Sequence, residues 1–163
     1  MKAQDESRAG YEPALPVINS TALSDEDILA RADEIARRRM ATGCQITNST
    51  GAYHAIKQLM QQYDEEHFCI LWLDCQHKII SFEDVFTGTI EHCSIHPRIL
   101  VKRALEVNAA ACILAHNHPS GTLEPSSQDI TLTQRLDILF GQLDIRVLDH
   151  IIVGRGEFVT FKW

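Results

Sequence analysis

The sequence predicts an α/β fold in which a mixed β-sheet is flanked by helices. Two apolar stretches of strand length, residues 68–73 and the second half of 109–115, are typical of strands buried on both faces of a sheet. The segments between them repeat apolar residues near the 3.6-residue period, which indicates helices. The order of these elements predicts a layered arrangement with helices on both faces of the sheet.

The N-terminal part of the chain is expected to be helical after a polar tail. Residues 1–20 are polar and contain one Gly and two Pro, so we expect a poorly ordered tail there. Ser24 and Asp27 have the spacing of a capping box, which predicts a helix that ends near residue 40. A second helix is expected to begin near residue 50 and to end at an acidic segment. We assign residues 21–64 to an N-terminal helical extension.

The remaining elements are expected to build the sheet and its covering helices. A hairpin joins the strand 68–73 to a second strand that starts at Lys78. Pro97 stands at the first position of a helix, where its missing N–H is tolerated. The later elements are the strand that ends at His116, a helix over 126–139, and strands over 144–153 and 158–161. Together, residues 65–163 are predicted to form one domain.

Composition and charge exclude several classes of protein. The chain has 163 residues, of which 45% are hydrophobic and 23% charged, enough for one domain with a core. The net charge of -7 argues against a surface for non-specific nucleic-acid binding, which needs clustered Lys and Arg. No apolar stretch approaches the roughly 20 residues that span a bilayer, and Met1–Glu6 lacks the apolar part of a secretory signal. We therefore expect no membrane partner and a cytoplasmic location.

The most specific pattern is His116–Asn117–His118, followed by a carboxylate at Asp129. At the end of a strand, His116 and His118 would point to the same side, since side chains alternate with a period of two. Asp129 is expected in the first turn of the next helix, from where it can face both histidines. Three such ligands with one open position are typical of a catalytic zinc site. The alternative is a pair of exposed loop histidines, which the HxH pair alone does not exclude.

The pattern also resembles a known family. The HxH pair, seven further residues, Ser126, two residues and Asp129 resemble the zinc signature of the JAMM (MPN+) metalloprotease superfamily. Other segments resemble the bacterial RadC-like branch of that superfamily: 87–90, 96–98, 108–111, 116–121 and 149–154. The similarity covers roughly residues 65–163. It implies a three-layer, cytidine-deaminase-like α/β fold and a zinc hydrolase.

The resemblance implies a role for each site residue. His116, His118 and Asp129 would hold one Zn2+ ion, with water as the fourth ligand. Glu83, a few residues before a Gly–Thr segment, would take a proton from that water; the alternative is a solvated turn carboxylate. Ser126 would orient the water or stabilise the oxyanion, and the alternative is a helix N-cap, which is compatible with either role. The implied substrate is a peptide or protein whose amide bond is hydrolysed.

Two other functions stay open at this stage. Longer RadC-like proteins carry an N-terminal helix-hairpin-helix DNA-binding region, which suggests a role in DNA repair. Residues 1–66 lack its glycine pattern, so direct DNA binding is disfavoured and stand-alone versions on mobile elements are more similar. The second alternative is a non-catalytic zinc-binding interaction module, which the presence of Glu83 disfavours because a structural site needs no base. The sequence leaves open whether the chain forms a homo-oligomer.

Overall fold

Four helices and five strands follow one another in the described part of the chain, which comprises residues 23–88 and 95–161 of the computed structural model. In chain order they are α1 (Asp25–Arg39), α2 (Ser49–Met60), β1 (His67–Leu73), β2 (Ile79–Thr87), α3 (Pro97–Glu106), β3 (Ala111–Asn117), α4 (Ser127–Gly141), β4 (Arg146–Gly154) and β5 (Glu157–Thr160). The tail predicted for residues 1–20 lies outside the described residues. Within those residues, no helix is both long and apolar enough to cross a membrane.

The five strands form one mixed sheet in the order β2–β1–β3–β4–β5. β1 is antiparallel to both of its neighbours, β3 and β4 run parallel, and β5 is antiparallel to β4. β1 and β3 lie inside the sheet with a helical layer on each face. Such strands are apolar along their whole length, because neither face meets water.

Side chains alternate along each strand, so the two faces of the sheet carry separate cores. On one face, Leu71 belongs to a cluster with Ile56 of α2. On the other face, Ile70 belongs to a cluster with Leu100 of α3 and Leu136 of α4. Helices therefore cover both faces, which confirms the predicted α/β fold with its three layers.

The predicted helical extension, residues 21–64, packs directly against the sheet. Ile56 and Met60 of α2 are fully buried in the same cluster as the strand residues of that face. α1 adds Ala36 to this cluster and leaves Ile28 and Leu29 exposed. The boundary near residue 65 stays a prediction.

Local sequence determines the starts of α1 and α4 in the same way. The Ser24 hydroxyl oxygen accepts a hydrogen bond from the Asp27 N–H at 3.1 Å, and the Asp27 carboxylate accepts one from the Ser24 N–H at 3.0 Å. Ser126 and Asp129 form the same capping box at the start of α4. Such boxes satisfy backbone donors that the first helical turn leaves without partners. In α4 the box also holds the Asp129 side chain at the helix start.

Candidate metal centre

The candidate metal centre lies where the end of β3 meets the start of α4. His116 is near the C-terminal end of β3, and its side chain points toward the layer formed by α3 and α4. His118 follows the strand directly, and Asp129 lies in the first turn of α4. The structure thus brings together the three residues that the sequence predicted as metal ligands.

The ligand atoms of these residues lie at separations near those of a tetrahedral zinc site. The two Nε2 atoms of His116 and His118 are 2.8 Å apart. They lie 3.4 Å and 3.6 Å, respectively, from Oδ1 and Oδ2 of Asp129. Two ligands at about 2.0–2.1 Å from zinc and at the tetrahedral angle are about 3.3–3.4 Å apart. The observed distances fall on both sides of this value.

Asp129 provides the observation that points most directly to a cation. This residue is only 1% exposed, and its Oδ1 has no hydrogen-bond donor among the residues that the structure describes. Its Oδ2 accepts hydrogen bonds from the hydroxyl of Ser126 at 2.6 Å and from the backbone N–H of Ser126 at 2.7 Å. Burying a carboxylate oxygen without a donor is unfavourable unless a cation pairs with it. The donor set therefore fits a zinc ion.

The charges at this site favour a cation beside Asp129. Burial tends to raise the pKa of Asp129, but the adjacent imidazoles of His116 and His118 and the hydrogen bonds from Ser126 outweigh it and hold the pKa well below its ordinary value. The neighbouring Asp129 carboxylate raises the pKa of His118. The carboxylate is therefore ionised at neutral pH, which is the form that binds a metal.

The backbone determines how His118 faces the site. Its Nδ1 lies 2.8 Å from the carbonyl oxygen of Thr122. A carbonyl oxygen can only accept, so Nδ1 carries the hydrogen and donates it. In the neutral imidazole, Nε2 then keeps its lone pair, and this is the atom that faces His116 and Asp129. The loop after β3 thus prepares His118 as a ligand.

Ser126 lies beside the site as the N-cap of α4, one of the two roles considered from the sequence. Its hydroxyl oxygen accepts from the backbone N–H of Asp129 at 3.1 Å and donates to the carboxylate of the same residue at 2.6 Å. The hydroxyl hydrogen is therefore already used. In this arrangement Ser126 holds a ligand in place and has no hydrogen left for an oxyanion.

The structure does not bring Glu83 to the candidate ligands His116, His118 and Asp129. Glu83 pairs with Ile70 across β2 and β1, and Ile70 pairs with Leu114 across β1 and β3. His116 is two residues further along β3. With strands about 4.8 Å apart and a rise of about 3.3 Å per residue, the backbones of Glu83 and His116 are roughly 11–12 Å apart.

Glu83 is instead held in an ion pair with α3. Its carboxylate accepts hydrogen bonds from Nη2 of Arg103 at 2.7 Å and from Nε of Arg103 at 2.8 Å. These bonds lower the pKa of Glu83. A carboxylate with a lowered pKa that is occupied by a guanidinium is a poor general base at neutral pH. The geometry therefore argues against the role that the resemblance implied for Glu83.

A different carboxylate, that of Glu66, lies at the site. One of its oxygens groups with ligand atoms of His116, His118 and Asp129, and all four atoms lie within 4.8 Å of one another. Glu66 directly precedes β1, and Phe68 of that strand pairs with His116. Because β1 and β3 are antiparallel, the start of β1 meets the end of β3. The sequence pattern did not single out Glu66, because residues 64–66 match the acidic end of a helix.

Asn117, between the two histidines, anchors the segment that carries Glu66. Its side-chain oxygen accepts from the backbone N–H of His67 at 2.8 Å. Its side-chain nitrogen donates to the carbonyl oxygens of Glu65 at 2.8 Å and of Tyr63 at 3.4 Å. These bonds bind the backbone on both sides of Glu66. Asn117 therefore holds in place the segment that carries Glu66.

A cleft with a volume of about 740 Å³ opens beside the centre. Glu66, His118 and Ser126 line it, which connects the candidate ligands to solvent. Three further acidic residues also line it: Asp64, Glu65 and Glu124. No Lys or Arg occurs among the described residues that line the cleft. The described lining of the cleft thus carries an excess of negative charge.

Comparison with known proteins identifies the family of this chain. The sequence model of the RadC-like JAB domain matches residues 46–163, which is more than half of the chain. The chain belongs to this family. The match confirms the RadC-like resemblance found in the sequence, and it begins early enough to include α2.

Several curated proteins are similar to this RadC-like chain. A "UPF0758 protein" of Methylibium petroleiphilum is 47% identical over 137 residues, which are 82% of this chain and 62% of the relative. A second, of Photobacterium profundum, is 47% identical over 117 residues, 72% of this chain and 52% of the relative. A third, of Vibrio cholerae, is 43% identical over 130 residues, 80% of this chain and 82% of the relative. The chain thus spans about half to three fifths of the first two relatives, and none of the three names states an activity.

Proposed function

We propose that this RadC-like chain is a zinc-dependent metallopeptidase or isopeptidase that hydrolyses an amide bond of a peptide or protein. One observation carries the proposal: two imidazole nitrogens and two carboxylate oxygens, from His116, His118, Asp129 and Glu66, gather within 4.8 Å of one another beside an open cleft. Three of these groups suffice for a catalytic zinc site, and we assign the fourth, Glu66, to proton transfer.

In this proposal His116, His118 and Asp129 hold the ion. Zinc in such a site supplies Lewis acidity, which lowers the pKa of water and polarises a carbonyl group. Ser126 is a positioning residue, because its hydroxyl and N–H both bind the Asp129 carboxylate. The role of base moves from Glu83 to Glu66, whose carboxylate lies at the centre.

Glu66 would take a proton from the attacking water and deliver it to the amine that leaves. Both transfers need one carboxylate close to the reacting atoms on the solvent side, and Glu66 lines the cleft. Asn117 supports this role, since it binds the backbone at Glu65 and His67, the residues before and after the base.

The acidic cleft disfavours the alternative in which the site acts on nucleic acid. Phosphate groups need Lys or Arg nearby, and the described lining of the cleft contains neither. The other alternative, an interaction module that binds zinc without turnover, differs from the proposal in one respect: it does not need Glu66.

A matched pair of substitutions tests the proposal. Glu66→Gln is expected to reduce amide hydrolysis by roughly 10²–10⁴-fold, the usual contribution of a general base, while zinc content stays at that of the wild type. Glu83→Gln is the control and is expected to retain activity. Cleavage of a mixed peptide library by zinc-loaded protein, followed by mass spectrometry, measures both.

Each outcome of this experiment decides between the candidates. Equal cleavage by Glu66→Gln and the wild type refutes Glu66 as the base. Loss of cleavage only in Glu83→Gln restores the original assignment. If the wild type binds zinc but cleaves no peptide in the library, the interaction module replaces the peptidase as the proposed function.

A further inference from the structure

A chain of hydrogen bonds runs from the backbone of α4 to the candidate ligand His116. The Thr133 hydroxyl lies 2.6 Å from the carbonyl oxygen of Asp129 and 2.6 Å from Nδ1 of His150. Nε2 of His150 lies 2.8 Å from Nδ1 of His116. These hydrogen bonds thus link α4, β4 and β3. They end at the imidazole of His116, whose Nε2 faces the metal centre.

The donor and the acceptor of each hydrogen bond follow from the Asp129 carbonyl oxygen, which can only accept. The carbonyl oxygen of Asp129 only accepts, so the Thr133 hydroxyl donates to it and must accept from Nδ1 of His150. With its one proton on Nδ1, neutral His150 presents an unprotonated Nε2, which accepts from Nδ1 of His116. His116 then carries its proton on Nδ1, and its Nε2 lone pair is free for a metal. The proton positions that the Asp129 carbonyl oxygen imposes on this series of hydrogen bonds are therefore the same as those that metal binding by Nε2 of His116 requires.

The three side chains joined by these hydrogen bonds are buried, which indicates that their polar groups serve to orient His116. His116 and His150 are 0% exposed and Thr133 is 1% exposed. The Phe68 and Phe161 rings pack against His150, with centroids 5.6 Å and 4.6 Å away. Polar groups in such surroundings are unfavourable unless all of their hydrogen bonds are made. Apolar residues would fill the same space more simply if the site needed no particular orientation of His116.

We propose that Thr133 and His150 are positioning residues that hold His116 in the tautomer and orientation in which Nε2 binds the metal. This inference rests on the proposed metal centre but adds residues that do not touch the ion. A ligating histidine commonly donates its second N–H to an outer partner, and loss of that partner lowers metal affinity by roughly 10–100-fold. Here the outer partner is itself a histidine, so its own tautomer must be set by a further group, and Thr133 is that group.

Thr133→Val tests the inference because it keeps the shape of the side chain and removes the hydroxyl. Zinc affinity, measured by competition with a chromophoric chelator, is expected to fall by roughly 10–100-fold. Thr133→Ser restores the hydroxyl and is expected to recover most of the affinity. Thr131→Val is the matched control: its hydroxyl makes the same type of bond, to the carbonyl of Ser127 at 2.8 Å, but on the exposed side of α4.

A second measurement does not depend on zinc. Two-bond ¹H–¹⁵N correlation spectra of the metal-free protein report which nitrogen of each imidazole is protonated. We expect His150 to carry its proton on Nδ1 in the wild type and in Thr131→Val. In Thr133→Val, Nδ1 has lost its acceptor, so a larger fraction of His150 is expected to be protonated on Nε2.

The two measurements separate the inference from the proposed function. If the wild type binds no zinc, the metal centre is wrong, whereas the spectra still test the hydrogen-bond chain. A His150 protonated on Nε2 alone in the wild type would overturn the inference, even if Thr133→Val does not fold. It is equally overturned if Thr133→Val folds and binds zinc within about twofold of the wild type.

Discussion

Replacement of Asp129 by Asn is the sharpest single perturbation of the metal centre. The side chain is almost fully buried, and the Ser126 donors occupy Oδ2 while Oδ1 faces Nε2 of His116 at 3.4 Å. An Asn can keep one oxygen for Ser126 and place its NH₂ group where Oδ1 now lies. That group would donate to the lone pair of His116. The metal-free variant is therefore expected to fold, yet to be unable to hold zinc.

The magnitude follows from ligand linkage. A ligand at 100 times its dissociation constant stabilises the folded state by about 2.7 kcal/mol if it does not bind the unfolded chain. For a chain of this size, 1 kcal/mol corresponds to roughly 2–4 °C in melting temperature. Zinc should therefore raise the melting temperature of the wild type by roughly 5–11 °C. Asp129→Asn should lose nearly all of this shift.

Differential scanning calorimetry of chelator-treated protein, with and without added zinc, measures the shift directly. The matched control is Asp27→Asn, because Asp27 forms the same capping box with Ser24 but is exposed on α1. This control should retain the full zinc effect. An equal shift in Asp129→Asn and the wild type, or no shift in the wild type, would refute the reasoning.

Three further predictions concern the surroundings of the site. Arg103 lowers the pKa of Glu83 below its ordinary value of 4.5, so the ion pair stabilises the fold above that pH, and its contribution is lost as acid protonates Glu83. Arg103→Met should thus be less stable than the wild type in urea unfolding at pH 7 and equally stable near pH 3; a difference that persists in acid contradicts this. Asn117→Ala releases the backbone beside Glu66 and should reduce peptide cleavage at least tenfold. Zinc affinity, measured by chelator competition, should stay within roughly threefold of the wild type. Unchanged cleavage would exclude the anchoring role of Asn117. Leu136→Ala opens a cavity at a fully buried position and should lower the free energy of unfolding, measured in urea, by about 2–5 kcal/mol. A loss below about 1 kcal/mol would show instead that the core collapses around the smaller side chain.

The helices and the ligand pattern were predictable because their determinants are local. Ser24 and Asp27 define a helix start within four residues, and Ser126 and Asp129 define another. The period of two along a strand places both histidines of an HxH pair on one side. Such rules need no knowledge of what the chain packs against.

The proposed base was not predictable by the same rules. Glu66 reaches the site because β1 is antiparallel to β3, with Phe68 opposite His116. Glu83 precedes a Gly–Thr segment and is also acidic, but it lies on β2, which is separated from β3 by β1. The Glu83 carboxylate contacts Arg103 of α3 instead. Which acidic residue lies at the site therefore depends on strand order.

The sequence by itself determined the α/β class, the helix starts and three of the residues that could bind a metal, since periodicity and ligand chemistry act over a few neighbouring residues. Only the tertiary structure decided which carboxylate completes the site and which buried partners orient His116. Those choices depend on the register between β1 and β3 and on the packing of α4 against β4, contacts between segments that are far apart in the chain. No local pattern encodes such a register, because many pairings satisfy the same alternation of apolar and polar residues.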